Sequence, residues 1–523
     1  MLSPATKHEA GSDTGGPALM STLPGVQTWH RLHVAIRPTD YTDAVPQGVA
    51  RYRNLGLAGA ALLAGGGMFA GAFPQHPKDF SLSRALSITE LATIGGYGGL
   101  VLLVVAWSRL GRLVGTPGGP DVRELRRMLV GWAAPLMVAP PLFSKDVYSY
   151  AAQGAMVLHG TDPYASGPGN APGFDSPLAA NVDEVWAETP APYGPVFLVL
   201  AARVLGLTGE QRLAAVFGLR VLCVLGVVLM AVYLPRLAAH LGVDPAAATW
   251  LGVLNPLVLI HLVGGGHNDA LLVGFLVLGL VLVLDGLPVL GVLVLALATL
   301  VKVPAGLAFA FCVPLWAGQL SGRLRLTRAA LLTAATAAGA IAGISAACGL
   351  GYGWVHALQT PGEVRNWLSV TTTMGQFTGL VTSWFGAGDH MDGAIAAWRG
   401  AGGLVAAVVC AVLLLRSRRI GPVSALGTAL IAVVALGPVV QPWYLLWGFA
   451  VLAASSLDPG VRSLVAAASA AMSLVLMPRG GPLEPRDIVE AILVGALVAG
   501  SAVLLEWLLT GRPRPRVSAT MDA

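Results

Sequence analysis

The sequence predicts an all-α polytopic membrane protein, and three observations lead to this fold class. Of the 523 residues, 55% are hydrophobic and 11% are charged, and the mean hydropathy is +0.71; a water-soluble domain with this balance would carry large exposed apolar patches. Apolar stretches of the roughly 20 residues that a helix needs to cross the hydrocarbon recur from Asn54 onward. Runs such as 271–284 lack the apolar–polar alternation of barrel strands, which excludes a transmembrane β-barrel.

The basic residues indicate topology and not a nucleic-acid partner. The formal charge is +5, but Arg and Lys occur in short clusters between apolar runs, and the positive-inside rule assigns such clusters to the cytoplasm. The clusters lie at 51–53, 112–127, 323–328, 416–419 and 512–516. We therefore expect cytoplasmic tails at 1–50, which shows no removable signal peptide, and at 512–523. The transmembrane domain is expected at 51–511, in the plasma membrane.

One long acidic segment, 144–192, is predicted to form the first large loop on the outer face. It contains six acidic residues against the single Lys145. The apolar run 193–209 follows, and if it spanned the membrane, every later basic cluster would lie outside. We therefore expect a short interfacial or re-entrant helix there and about fourteen transmembrane helices in total. In this register the polar and aromatic residues of the later loops meet on the outer face.

Asp146 directly follows the apolar run 128–143, where a helix emerges into the acidic loop. A carboxylate at this depth is costly unless it is solvated or used. Such a group, partly desolvated at the membrane surface, could take a proton from a hydroxyl that attacks an anomeric carbon. Alternatively, Asp146 caps the amphipathic helix 147–159, a common role for Asp. The local sequence leaves both interpretations open.

Two segments between the apolar runs combine hydrogen-bonding groups in a way that suits a ligand. His267, Asn268 and Asp269 follow three glycines, which allow close backbone approach; the next helix N-terminus suits a sugar or a phosphate, and helix capping is the alternative. One His and one Asp are too few ligands for a metal. Lys302 is a lone cation in a long apolar segment, and we expect phosphate binding in preference to snorkelling towards the headgroups.

Three further segments are weaker candidates. Asp162 and Tyr164 either orient a sugar hydroxyl or belong to an ordinary Asp-Pro turn. Tyr193 opens the short helix, where interfacial anchoring alone would explain it. The stretch 441–444 either stacks on a sugar or a prenyl group or belongs to an aromatic belt. Outer-face candidates of low specificity are Arg365, Asn366, Trp367 and Arg479.

Six short motifs in this order carry a resemblance that no single one of them would carry. They are SKDVYSYAAQG at 144–154, GTDPY at 160–164, APYGP at 191–195, GHND at 266–269, VKVP at 301–304 and QPWY at 441–444. Over most of 51–509 the chain resembles the GT-C type glycosyltransferases, and within them the polyprenol-phosphomannose-dependent α-1,6-mannosyltransferases of mycobacteria and corynebacteria.

The resemblance implies a GT-C fold and inverting transfer of mannose from polyprenyl phosphomannose to an α-1,6-mannan of lipomannan or lipoarabinomannan type. Asp146 would be the general base, and Lys302 would hold the donor phosphate. Because Lys145 replaces the first acid of the pair that many GT-C enzymes carry, we expect no metal, and no other cofactor. The substrate-binding candidates are Lys145, Tyr148, Asp162, Tyr164, Tyr193, His267, Asn268, Asp269, Lys302, Gln441, Trp443 and Tyr444.

Two alternatives to this mannosyltransferase remain. A lipid or polysaccharide transporter would show a continuous polar pathway through both leaflets and matching halves. A GT-C arabinosyltransferase that uses a decaprenyl-linked donor would keep the geometry and change only the sugar. In each case the expected partners are membrane lipids, a lipid-linked sugar and a glycolipid acceptor, and not nucleic acid.

Overall fold

Helices alone make up the regular structure of the part of the chain that the structure describes. The computed structural model describes residues 38–73, 88–362, 365–386, 390–476 and 478–480, and no strand occurs among them. The described residues from Ala44 onward form one compact unit. The predicted C-terminal tail, 512–523, lies outside the described residues, whereas the first helix begins at Pro38, inside the predicted N-terminal tail.

Eighteen α-helices are found among the described residues, joined by short turns and single helical turns of other types. In chain order they are α1 (Pro38–Ala70), α2 (Ile88–Gly111), α3 (Val122–Val138), α4 (Asp146–Leu158), α5 (Glu184–Ala187), α6 (Pro195–Thr208), α7 (Arg212–His240), α8 (Pro245–Gly252), α9 (Asp269–Leu284), α10 (Pro288–Val301), α11 (Leu307–Ala317), α12 (Arg325–Cys348), α13 (Gly353–His356), α14 (Val370–Trp384), α15 (Met391–Ile420), α16 (Pro422–Ala435), α17 (Leu446–Ala453) and α18 (Pro459–Ser473). A π-helix, Val258–Gly264, precedes α9, and 3-10 turns at Val303–Gly306 and Pro442–Leu445 precede α11 and α17.

Local sequence explains where many of these helices begin. Asp121, Asp244 and Asp458 each accept a backbone N–H in the first turn of α3, α8 and α18, which satisfies a donor that has no partner within the helix. Proline occupies the first turn of α6, α10 and α16, where its missing N–H costs nothing.

Four of the described helices, α2, α7, α12 and α15, have the length and the apolar composition to cross a membrane. The π-helix and α9 would make a fifth span if they cross together, with a bend of 112° between them. Five shorter apolar helical segments, of 10 to 17 residues, accompany them. An all-α membrane protein is therefore confirmed for the described residues, while fourteen spans and the GT-C fold stay predictions.

Helix α7 packs along α9, and α9 packs in turn along α10. The crossing of α7 and α9 is close: a Cβ added at Gly226 would lie 2.2 Å from the carbonyl carbon of Ala270, and one at Gly274 would lie 2.6 Å from the carbonyl oxygen of Gly226. Small residues at such a crossing allow two backbones to approach. The start of α9 is therefore fixed tightly against α7.

The acidic segment 144–192 folds into α4, α5 and connecting turns, and α4 packs along α6. Helix α6 has 14 residues, about 21 Å at 1.5 Å per residue, which is shorter than the roughly 30 Å hydrocarbon core. It ends at Gly209 and Glu210, both in the left-handed region with φ of 60° and 57°, before α7 begins. This geometry fits the short helix expected at 193–209, and its place in the membrane stays a prediction.

Candidate active site

Four breaks between helices meet at one place and bring together side chains that are far apart in sequence. They are the start of α4 at Asp146, the turn before α9 with His267 and Asp269, the extended residue Lys302 after α10, and the 3-10 turn Pro442–Leu445. A side chain at a helix end is less enclosed by its own helix. Residues of these breaks can therefore contact one another.

The carboxylate of Asp146 faces the imidazole of His267. Its Oδ2 lies 3.3 Å from Nδ1 of His267, and the Asp146 side chain is 21% exposed while His267 is 0% exposed. Helix α4 begins at Asp146 itself, and the N-cap residue is Lys145, whose side chain makes no capping bond. Asp146 is therefore not the N-cap residue, and its side chain is engaged by His267.

Asp146 is held in its ionised form by this neighbourhood. Burial raises the pKa of its carboxyl, but the hydrogen bond and charge of His267, together with the charge of Lys302, outweigh burial and bring the pKa below its ordinary value. An ionised carboxylate only accepts hydrogen bonds, so Nδ1 of His267 carries the proton between them. A partly exposed, ionised acid is the state that a general base needs.

Lys302 and Asp269 form a second acid–base pair next to the first. The Lys302 Nζ donates to both Oδ1 and Oδ2 of Asp269 at 3.0 Å, and the indole Nε1 of Trp447 donates to Oδ1 at 2.6 Å. Asp269 is 0% exposed and Lys302 is 12% exposed. The cation that looks solitary in the sequence is therefore paired with a buried carboxylate.

Aromatic rings surround the Lys302 ammonium. Nζ lies 4.3 Å from the ring centroid of Tyr444, 5.5 Å from that of Trp447 and 5.7 Å from that of Tyr193. Tyr444 and Trp447 stack on each other with centroids 4.5 Å apart. Ring faces at these distances attract a cation, so these aromatic residues enclose Lys302.

Trp443 packs against two neighbouring imidazoles, whose ring centroids are 6.0 Å apart. Its ring stacks on His267 with centroids 3.8 Å apart, and that of His261 is 4.9 Å away. Several polar atoms around Trp443 are buried and have no hydrogen-bond partner among the described residues. They are Nε2 of His267, Nδ2 of Asn268, Nε1 of Trp443 and both ring nitrogens of His261. Buried polar groups normally have partners, so these donors and acceptors are available to a hydroxyl-bearing ligand.

The other sequence candidates divide between this cluster and its surroundings. Tyr193 contacts the cluster through Lys302 and through Tyr150, whose ring centroid is 5.1 Å from its own. Tyr164 donates to the carbonyl oxygen of Tyr193 at 3.0 Å and so lies one contact further out. Asp162 is exposed, and its Oδ1 accepts the backbone N–H of Tyr164 at 2.8 Å, which is the ordinary turn considered for it.

Within the described part of the chain, Lys145, Tyr148 and Gln441 form no hydrogen bond or ion pair with the charged groups of the cluster. Lys145 lies 3.8 Å from Asp183. Tyr148 is buried on α4 two residues after Asp146, and residues two apart point to opposite sides of a helix. Gln441 is the half-buried residue before the turn that carries Trp443. Their binding roles stay predictions.

Of the low-specificity candidates, Asn366 contacts the loop that leads to Trp443, and the other three lie elsewhere. Asn366 accepts the backbone N–H of Val440 at 3.4 Å, and Arg365 pairs with Asp392 at 2.5 Å. Trp367 is exposed. Beside Arg479, the carbonyl oxygen of Pro478 accepts the N–H of Phe143 at 2.8 Å, three residues before Asp146.

Sequence reasoning missed three residues of the cluster. Tyr150 lies one helical turn after Asp146, and its hydroxyl is 3.5 Å from both His267 Nδ1 and Asn268 Oδ1. Trp447 lies one turn after Tyr444, and the spacing i to i+4 or i+3 on a helix would have indicated both. His261 occupies a π-helix that apolar periodicity does not reveal. Within the described residues, no group of three or more His, Cys, Asp or Glu is arranged to hold a metal ion.

Comparison with protein families matches two regions that cover most of the chain. Residues 53–318 match the model "Alpha-(1->6)-mannopyranosyltransferase, N-terminal domain", and residues 371–504 match the model "MptB C-terminal domain". The chain belongs to the alpha-(1->6)-mannopyranosyltransferase family. The family predicted from the six motifs is thereby confirmed, and the cluster around Asp146 lies mainly within the first matched region.

Curated relatives in this family resemble the chain over nearly its whole length. A probable alpha-(1->6)-mannopyranosyltransferase of Mycolicibacterium smegmatis is 35% identical over 95% of this chain and 94% of its own length. An alpha-(1->6)-mannopyranosyltransferase of Mycobacterium tuberculosis is 35% identical over 88% of this chain and 87% of its own. Alpha-(1->6)-mannopyranosyltransferase B of Corynebacterium glutamicum is 34% identical over 91% and 85%.

Proposed function

We propose that this protein is an inverting α-1,6-mannosyltransferase that takes mannose from polyprenyl phosphomannose and adds it to a mannan glycolipid. Three kinds of observation support the proposal: the family membership, the apolar helices that suit a lipid-linked donor, and the Asp146 cluster. The acceptor is an α-1,6-mannan chain of lipomannan or lipoarabinomannan type. The reaction takes place on the outer face of the plasma membrane.

Asp146 is the general base of this reaction. The acceptor 6-hydroxyl oxygen attacks the anomeric carbon of the donor mannose, and the bond from that carbon to the phosphate oxygen breaks. The hydroxyl proton passes to the Asp146 carboxylate, and polyprenyl phosphate leaves with the electron pair. Because attack and departure occur on opposite faces of the sugar, a β-linked donor gives an α-linked product.

The single observation that carries this assignment is the contrast between Asp146 and its partner. Asp146 keeps 21% of its side chain exposed, whereas the His267 that bonds to it is fully buried. His267 therefore orients the carboxylate from its buried side, and the exposed part of the group can accept a proton. This arrangement, an acid oriented by a buried imidazole, is what base catalysis requires geometrically.

Lys302 stabilises the departing phosphate. An ammonium group has three N–H donors; two of them are directed at Asp269, and the third, on the side of Tyr444, can turn to a phosphate oxygen. The negative charge on that oxygen grows as the bond to the anomeric carbon breaks, so a fixed cation stabilises the transition state more than the ground state. The donors and acceptors around Trp443 hold sugar hydroxyls.

The test is transfer of radiolabelled mannose from synthetic polyprenyl phosphomannose to a short α-1,6-mannoside by the purified protein. Asp146→Asn is compared with Asp175→Asn, which makes the same chemical change at an exposed carboxylate of the same loop. Base catalysis requires that Asp146→Asn lose transfer and keep donor binding while Asp175→Asn stays active. Transfer from a lipid-linked arabinose alone would identify the arabinosyltransferase, and inertness towards every lipid-linked sugar would contradict an enzyme and favour a transporter.

A further inference from the structure

A single buried arginine in α7 contacts both segments that carry the Asp146–His267 pair. Arg220 is 2% exposed and lies in one of the helices suited to cross a membrane, about 12 Å along the helix from Arg212 at 1.5 Å per residue. A cation inside a membrane helix is costly and usually marks a functional role. Nothing in the reaction proposed above uses it.

The guanidinium of Arg220 bonds to backbone carbonyls of two different segments. Its Nη1 donates to the carbonyl oxygen of Ala139 at 2.5 Å, and its Nη2 donates to that of Leu136. Nε and Nη2 both reach the carbonyl oxygen of Val263 at 3.4 Å. The rigid fork of an arginine holds several acceptors in one plane, so these carbonyls are fixed relative to one another.

The carbonyls lie just upstream of the two partners. Leu136 and Ala139 are at the end of α3, and the chain runs from there directly into Asp146. Val263 is in the π-helix, four residues before His267. Arg220 therefore joins the two stretches of backbone whose spacing sets the distance between Asp146 and His267.

The aliphatic part of the Arg220 side chain also shapes the turn before His267. Gly266 has φ of 69° and a Cβ there would lie 2.6 Å from Cγ of Arg220; a residue with a side chain is disfavoured on both counts. One turn further along α7, Sγ of Cys223 donates to the carbonyl oxygen of Gly266 at 3.1 Å. The same face of α7 thus supports the turn from two points.

We propose that Arg220 is a positioning residue for catalysis, which holds Asp146 and His267 in contact by joining the end of α3 to the turn before α9. This inference rests on the proposed function, because it assigns the pair its role in proton transfer. A purely structural arginine would also satisfy carbonyls at a helix end. The two roles differ in what they do to Asp146.

The experiment compares Arg220→Gln, His267→Gln and the double variant in the mannose-transfer assay, with Arg212→Gln as the control cation on the exposed start of α7. We expect Arg220→Gln to lower kcat about tenfold to a hundredfold, as a displacement of about 1 Å does, with little change in KM for the donor. The acid limb of the pH–rate profile should move to higher pH, as in His267→Gln. The double variant should be no slower than His267→Gln alone.

The acid limb of the pH–rate profile can be assigned to Asp146, because the other charged and titratable groups that face it are known. They are His267, Lys302 and Ser144, with the hydroxyls of Tyr150, Tyr193 and Tyr444 and the carboxylate of Asp269 also close enough to act on the cluster. Arg212→Gln should leave both kcat and the acid limb unchanged. A shift that appears in Arg212→Gln would mean that the limb reports general loss of charge and would overturn the inference.

Arg220→Lys and Gly266→Ala keep the test decisive if Arg220→Gln does not fold. The first keeps the cation but loses the planar fork, and the second disturbs the turn while Arg220 stays in place. Each should shift the acid limb in the same direction as His267→Gln, by a smaller amount. Losses that add to those of His267→Gln, with an unmoved acid limb, would overturn the positioning role; a wild-type protein that transfers no mannose would instead overturn the proposed function together with it.

Discussion

Two acid–base pairs lie side by side in this protein and differ in exposure. In the pair of Asp146 with His267, the acid keeps 21% of its side chain exposed and its Oδ2 lies 3.3 Å from Nδ1 of His267. In the pair of Asp269 with Lys302, the acid is fully buried and accepts two bonds from the ammonium and one from Trp447. The acid of the first pair is partly accessible, and the acid of the second pair uses its oxygens to hold a cation in place.

In the proposed mechanism, exposure and the number of hydrogen bonds received separate the reactive carboxylate from the structural one. Both acids are the first residue of a helix, where the helix dipole stabilises negative charge. The position of the acid within its helix and the helix dipole that acts on it are therefore alike in the two pairs. What differs is how many donors each carboxylate receives.

The largest expected effect comes from removing the reactive acid. Asp146→Asn should lower kcat for mannose transfer by about 10²–10⁴-fold, the usual contribution of a general base, because the amide cannot accept the hydroxyl proton. KM for the donor should change little, and the melting temperature of the purified protein should stay near that of wild type. Steady-state kinetics and thermal unfolding in the same detergent check both statements, and a variant with at least a tenth of wild-type kcat would contradict the role.

The main effect of Asp269→Asn should be on the free energy of unfolding, with a smaller effect on the rate of mannose transfer. It leaves the Lys302 ammonium buried without its counter-ion, and breaking such a pair costs about 3–5 kcal/mol. The double variant Asp269→Asn/Lys302→Met should recover part of this loss, because both charges are then gone. Asp285→Asn, which disturbs the partly exposed pair with His240 at the other end of α9, is the matched control and should cost about 1 kcal/mol or less.

His267→Gln should shift the pH dependence of transfer. His267 lowers the pKa of Asp146, so the base is ionised above that lowered pKa and activity is lost as the pH falls through it. Without His267 the burial of Asp146 is opposed less strongly, its pKa rises, and the acid limb of kcat/KM moves to higher pH. An acid limb that stays in place in His267→Gln would show that the pair does not control the base.

Trp443→Phe should give the smallest effect and should sharpen the contrast between structure and binding. The phenyl ring keeps part of the stacking on His267, while the Nε1 donor, which is buried without a partner among the described residues, and one of the two fused rings are removed. The melting temperature should therefore fall, because the smaller ring leaves a void, but by less than in Asp269→Asn. If Nε1 binds a sugar hydroxyl, KM should rise about fivefold, which corresponds to about 1 kcal/mol for one hydrogen bond; an unchanged KM would exclude that contact.

The sequence alone predicted the helical membrane class and the family, and it identified both acids and both bases of the two pairs as candidates. It did not predict that Lys302 is paired with Asp269, because 33 positions separate them and Lys302 has no acidic neighbour along the chain. The lengths of the two helices between these residues indicate the pairing. Helices α9 and α10 have 16 and 14 residues and are joined by a short turn, so the start of the first and the end of the second meet.

Other features were beyond sequence patterns for physical reasons. Whether Asp146 is the N-cap of α4 depends on where the helix begins, and the structure places Lys145 at that position; helix boundaries are the least certain part of a sequence-based assignment. The π-helix with His261 and the bend of 112° before α9 depend on tertiary contacts, among them those of Arg220. An isolated arginine in an apolar helix does not show which carbonyls it will bind.

Helices α9 and α10 form a helical hairpin, and their nearly equal lengths place Lys302 beside Asp269. One residue inserted in either helix would shift everything beyond it by about 1.5 Å and rotate it by about 100°, which would turn Lys302 away from Asp269 and out of its ring of aromatic side chains. A residue added in the loop that follows α4 would leave this register unchanged, because the loop belongs to neither helix. During evolution, insertions and deletions should therefore accumulate in that loop and be excluded from the hairpin.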